Sequence, residues 1–97
     1  MREPEELAGA WAIETPTATC AITFTTRRVE SANGWAIDDP GGCLAAVVSG
    51  AVAWRPIPEG VALAADDRRT LVVFNAAADG QTGTASLNGG TATLRRT

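Results

Sequence analysis

Thr19-Cys20-Ala21-Ile22-Thr23-Phe24-Thr25 is the stretch whose reading decides the fold class. Successive side chains of an extended strand point to opposite faces. Cys20, Ile22 and Phe24 therefore share one face, and Thr19, Ala21, Thr23 and Thr25 share the other. Threonine suits such a strand because its branched Cβ favours the pleated surface. The same two-residue period recurs in both directions along the chain. Trp35 and Ile37 oppose Ala36 and Asp38, and Val52 and Trp54 oppose Ala53 and Arg55. Val61, Leu63 and Ala65 fall on one face, while Ala92 and Leu94 oppose Thr91, Thr93 and Arg95. Strands with one apolar face are what an antiparallel sheet around a single core requires. Thr70-Leu71-Val72-Val73-Phe74 is apolar on both faces, which marks a central strand or a second contact surface.

Turn signals separate these runs at short intervals: Asn33-Gly34, Pro40-Gly41-Gly42, Pro58-Glu59-Gly60, Ala65-Asp66-Asp67, Asp79-Gly80 and Asn88-Gly89-Gly90. Such punctuation belongs to an antiparallel sandwich or barrel. Asn33-Gly34 and Asn88-Gly89 suit tight hairpins, since both residue types tolerate positive φ. Two segments depart from the pattern. Pro4-Glu5-Glu6-Leu7-Ala8 reads as a first helical turn, with proline preset for the opening position and acids near the positive end of the dipole. Cys43-Leu44-Ala45-Ala46-Val47-Val48 fits a short helix or a strand, and helix is the expectation. The strands number about eight, enough to close and so remove exposed edges. The expected architecture is all-β, a small antiparallel up-and-down barrel.

At 97 residues the chain makes one small domain, and a domain of this size benefits from a covalent staple. Cys20 and Cys43 are its only cysteines. In a small loop-rich chain they read first as one disulfide, which implies an oxidising compartment; two unrelated buried thiols in a cytosolic protein are the alternative. The formal net charge of −3 gives no footprint for nucleic acid. All eight basic residues are arginines, and the pairs Arg27-Arg28, Arg68-Arg69 and Arg95-Arg96 are expected at solvated turns or a terminus. No apolar run approaches the roughly 18 residues that cross a bilayer. Met1-Arg2-Glu3-Pro4-Glu5-Glu6 is acidic and unlike a signal peptide, so on the disulfide reading an exporting segment has been removed and Met1 is not the natural start. There is no histidine and no tyrosine, which excludes the commonest general base and the serine–histidine dyad. No CxxC or CxxH spacing offers a zinc site. Asp38-Asp39 and Asp66-Asp67 stand in turn-like segments and are assigned to turn chemistry. No catalytic residue, metal or cofactor is expected, and the chain is not read as an enzyme.

Trp11, Trp35 and Trp54 lie on expected strands, where core packing is the default role of an indole. In Trp54-Arg55-Pro56 the proline is expected to end the strand's ladder, with the arginine facing outward. Gly9-Ala10-Trp11 matches the Gly-x-Trp of the first strand of lipocalin-like barrels, where the ring plugs one end. Taken in order, Leu7-Ala8-Gly9-Ala10-Trp11, Cys20, Cys43-Leu44, Trp54-Arg55-Pro56 and Pro58-Glu59-Gly60 resemble the bacterial alkaline proteinase inhibitor (Inh) family, which includes outer-membrane lipoprotein relatives. The late Val73-Phe74 strand and the basic Leu94-Arg95-Arg96 extend the resemblance to the C-terminus. It implies an eight-stranded lipocalin- or streptavidin-like barrel over residues 7–97, one disulfide between Cys20 and Cys43, and an extended N-terminal arm over residues 1–6. It further implies a monomer in the periplasm that inhibits secreted zinc metallopeptidases of the serralysin type. The arm enters the substrate cleft and its amino terminus approaches the zinc, so the contact residues here are Met1, Arg2, Glu3, Pro4, Glu5 and Glu6. This arm is shorter and more acidic than the family pattern, and a lipid anchor upstream is one form that relatives take.

Two other functions fit the same strands. A ligand-binding barrel of the lipocalin or avidin type is prompted by Gly9-Ala10-Trp11 and the strand count. Its interior is expected to be filled instead, since Trp35, Trp54, Phe24, Ile22, Leu63 and Phe74 are bulky and about eight strands enclose little more than side chains. A structural envelope module would bind a protein through Leu71 and Val73 on its outer face.

Overall fold

The alternating runs form eight strands among the described residues, hydrogen-bonded in sequence order and closed into a barrel. They are β1 (Gly9–Glu14), β2 (Thr19–Val29), β3 (Gly34–Asp38), β4 (Ala53–Ile57), β5 (Gly60–Ala64), β6 (Thr70–Ala76), β7 (Thr82–Leu87) and β8 (Gly90–Arg96). The computed structural model describes residues 3–87 and 89–97. Every neighbouring pair is antiparallel, and β8 returns to β1 with Leu94 opposite Ile13 and Arg96 opposite Trp11. Two one-turn helices, α1 (Pro4–Leu7) and α2 (Leu44–Val47), and a 3-10 turn (Glu30–Ala32) are the other elements among the described residues.

The inward residues pack as the period requires. Ile13, Cys20, Ile22, Phe24, Trp54, Leu63, Phe74 and Leu94 are all at 2% exposure or less. Phe24 stacks on Trp54 with ring centroids 4.7 Å apart, and Trp11 tilts against Phe24 at 5.7 Å. The Trp54 indole would be costly to bury unpaired; it donates to the Thr25 carbonyl at 2.9 Å.

Up-and-down order gives the barrel two distinct ends. One end carries α2 and the disulfide. Cys20 on β2 is joined to Cys43, with Cα atoms 5.7 Å apart, and α2 delivers Leu44, Val47 and Val48 to the core. Asp39 holds the start of α2, its Oδ1 accepting from the Cys43 amide at 3.1 Å and its Oδ2 from Leu44 at 2.8 Å. The other end carries α1, the β4–β5 and β6–β7 turns and the close of β8.

Several local expectations are corrected. Pro56 does not end a strand but lies within β4, opposite Val61. It is tolerated because β3 pairs with β4 only at Trp35–Trp54 and Ala36–Ala53, so that side of the strand is already unpaired. Val52 stands before β4 at 39% exposure and does not share the Trp54 core face. Arg27 and Arg28 belong to β2 rather than to a turn: four residues from Phe24 to Arg28 span only two of β3, from Ile37 to Trp35. This bulge carries β2 past its expected end. Asn33-Gly34 is not a tight two-residue hairpin, since the 3-10 turn precedes Asn33, which takes φ 52. Gly89 has φ 80 between paired Leu87 and Gly90, while Asn88 lies outside the described residues. The outer face of β4 and β5 is not polar either. Ala53, Ala62 and Ala64 are buried there, and Arg55 opposite Ala62 reaches to the Arg68 carbonyl at 2.8 Å and the Thr70 hydroxyl at 3.4 Å. The 3-10 turn is tied to the same region by the Ser31–Asp66 hydrogen bond, which accounts for a fully buried Ala32.

Candidate functional site at the α1 end of the barrel

The residues expected to act, 1–6, divide at Glu3. Met1 and Arg2 lie outside the described residues. Glu3 is exposed and precedes α1, its amide facing Glu6 Oε1 at 3.5 Å while the Glu6 amide donates to the Glu3 carbonyl at 3.0 Å. Proline at the first helical position has no amide to leave unsatisfied, so the turn begins there. Pro4, Glu5 and Glu6 are therefore wound into α1, the helical turn expected over Pro4–Ala8, rather than into the extended arm of the family pattern, and Leu7 drops into the core. The arm and barrel expected to meet at residue 7 are bridged by this helix.

A four-residue helix leaves its last carbonyls without internal partners. Here three consecutive ones are taken by two side chains from the barrel. Arg96 Nη1 donates to the Glu6 carbonyl at 3.0 Å, Trp11 Nε1 to Leu7 at 2.7 Å, and Arg96 Nη2 to Ala8 at 2.9 Å. The Arg96 guanidinium also lies 5.0 Å from the centre of the Trp11 ring, within cation–π range. A cation at a helix C-terminus is on the favourable end of the dipole. The sequence reading assigned Arg96 to a solvated terminus. The missed signal was its own two-residue period: Ala92 and Leu94 face inward, so Arg96 does too.

Trp54 is a core residue, as expected, and Trp11 closes the α1 end. Arg55 is half-buried, and its Nε is buried with no hydrogen-bond acceptor among the described residues. With Pro56, Trp35, Arg28 and the start of α1 it lines an outer groove of about 340 Å³. Trp35 is half-exposed, less buried than expected, and Arg28 lies over its ring at 5.0 Å while donating to Asn33 at 2.7 Å. At the barrel mouth, Leu7, Trp11, Val61, Phe74 and Leu94 line a cavity of about 130 Å³. Sites for small molecules commonly run to about 300–1,000 Å³. In the β6–β7 turn at this end, Asp79 is held below its ordinary pKa of 3.8, chiefly by the Gln81 amide, with burial opposing and Thr82 assisting. Cys20, Cys43 and Asp39 place ligand-type atoms within 4.8 Å, but both sulfurs are spent in the disulfide and Asp39 on α2.

The family model "Protease inhibitor Inh" matches residues 1–96. The chain belongs to the Inh family. Among solved structures, this Inh-family chain is similar to one described as the crystal structure of a psychrophilic marine protease MP inhibitor. The TM-score is 0.80 at 21% identity, covering 99% of this chain and 100% of that one. At that identity the likeness speaks for the shared barrel. A search of curated proteins finds no significant match. Peptidase inhibition is the activity that Inh membership carries, and at the α1 end this chain fixes the carbonyls of Glu6, Leu7 and Ala8 to the barrel.

Proposed function

We propose that this Inh-family protein inhibits a secreted zinc metallopeptidase of the serralysin type through the segment before Leu7. In this reading Met1, Arg2 and Glu3 enter the substrate cleft, while Pro4, Glu5 and Glu6 form a helical shoulder at its rim. An amino terminus in its neutral form is a competent zinc ligand, so a leader delivered to the metal blocks the position that water needs. The protein performs no chemistry of its own and acts by occupancy. The observation that carries the proposal is the anchoring of α1 by Arg96 and Trp11 at three successive carbonyls. A leader whose root at Glu6 to Ala8 is held to the barrel has less freedom to lose on association. The disulfide favours an oxidising compartment, and the periplasm is the location this function needs, whether the protein is free or tied to the outer membrane by an upstream lipid.

The test is titration of a serralysin-type peptidase with the naturally processed protein, following cleavage of a peptide substrate. Stoichiometric loss of activity at micromolar inhibitor is expected. Full activity at that concentration would exclude this target class. The ligand-binding reading is disfavoured by the small mouth cavity and the filled interior.

A further inference from the structure

Among the described residues, Arg96 meets the leader at its root. Arg96 is fixed from three directions: its backbone amide donates to Gln81 at 2.9 Å, its guanidinium lies over Trp11, and its two terminal nitrogens bracket the Leu7 carbonyl by taking those of Glu6 and Ala8. A helix as short as α1 has no stability of its own, because nucleation costs more than one turn returns. Whether residues 3–8 are docked or loose therefore depends on these contacts from the barrel. We infer that Arg96 is a positioning residue for inhibition, setting the fraction of molecules whose leader is docked and ready to bind. This rests on the arm-insertion reading above.

The inference has a kinetic signature. When only a fraction of molecules is competent, apparent affinity falls by that fraction. The loss then resides in association, since a leader already seated in the cleft leaves as before. A residue that touched the peptidase directly would act mainly on dissociation. Arg95, next in the chain, faces outward and pairs with Glu14 at 3.1 Å, which makes it the matched control.

The experiment combines amide hydrogen exchange of the free protein with stopped-flow binding to the peptidase, for Arg96→Ala, Arg96→Lys and Arg95→Ala. The Ala8 amide donates to the Pro4 carbonyl at 2.9 Å and so reports α1 directly. For Arg96→Ala, loss of two charge-assisted hydrogen bonds is expected to speed Ala8 exchange about tenfold and to slow association by a similar factor, with dissociation unchanged. Arg96→Lys falls between, because one ammonium cannot reproduce the planar fork. Arg95→Ala matches the wild type. Unchanged Ala8 exchange in Arg96→Ala, or faster dissociation with unchanged association, would overturn the inference. Should Arg96→Ala fail to fold, Trp11→Phe removes the donor to Leu7 and must also speed Ala8 exchange, or the clamp is wrong. Exchange is read without any peptidase. A wild type that fails to inhibit therefore defeats the parent reading and leaves the clamp to be decided by exchange alone.

Discussion

Asp79 in the β6–β7 turn and Gly60 at the start of β5, both at the α1 end, do opposite kinds of work. Asp79 Oδ1 accepts the Gln81 amide at 2.9 Å and the Thr82 amide at 3.2 Å, favouring the ionised carboxylate and lowering its pKa. A carboxyl whose folded pKa lies below its unfolded value stabilises the fold above the unfolded value, and that contribution is lost as pH falls through the folded one. Asp79→Asn should therefore lower the urea midpoint near pH 7, and the gap from wild type should close at about pH 2. Equal gaps at both values would refute the assignment. Gly60 is required for shape. Its φ is +155°, and a Cβ there would stand 2.1 Å from the Phe74 carbonyl oxygen, so the strands must move apart to admit one. Gly60→Ala is expected to cost about 3 kcal/mol or more in denaturant unfolding, in the range of strained backbone plus core displacement. Both positions were legible as turns, since Pro58-Glu59-Gly60 and Asp79-Gly80 carry the residues that turn chemistry needs. Arg96 and Arg55 were not legible in the same way. An arginine that lays its stem over apolar neighbours and ends on backbone carbonyls has the composition of a solvated one, and only the strand period betrays it.

Among the elements, the disulfide and α2 act as one plug. Cys43 immediately precedes α2, and the helix places Leu44, Val47 and Val48 against the core while Cys20 ties it to β2. The bridge closes a sequence separation of 23. In the chain-entropy account a loop of that size contributes about 3 kcal/mol by restricting the unfolded chain. For a domain of this length the loss corresponds to roughly 15 °C in melting temperature. Cys20→Ala with Cys43→Ala should show a drop of that order in calorimetry, with the β-rich circular dichroism retained below the transition. A fall of under a few degrees would mean that the plug is held by packing alone. Strand existence and face were readable for β2 and β8, where alternation is clean. They were less so for β5, because Ala62 and Ala64 are buried on the face that alternation assigns to solvent. That burial depends on Arg55 and the 3-10 turn lying across the outside, an arrangement with no local signature. The bulge between Phe24 and Arg28 was invisible for the same reason: threonine and arginine suit an extended strand whether or not its partner keeps step.

At the scale of the molecule, the barrel and the leader are predicted to be separable in energy though continuous in chain. The core runs through the interior from Trp11 to α2, and among the described residues the first along the chain to join it is Leu7. Ahead of it, Glu3 and Glu5 are exposed and Pro4 is only half-buried. Glu3 adds no buried apolar surface to the fold, and stability scales with such surface, so removal of residues 1–3 is predicted to leave the barrel intact. The truncated protein should melt within about 3 °C of the intact one, because surface changes of this kind fall within about 0.5 kcal/mol. If those residues fill the peptidase cleft, inhibition should nevertheless fall at least about 100-fold, the loss that some 2.7 kcal/mol of contact represents. The paired measurements are a thermal melt and an inhibition titration on one preparation. Retained inhibition with an unchanged melt would move the binding surface from the leader to the barrel itself, where the Trp35–Arg28 groove beside α1 would become the next surface to mutate. A lowered melt would instead mean that α1 depends on residues ahead of Pro4, and that leader and barrel form a single cooperative unit.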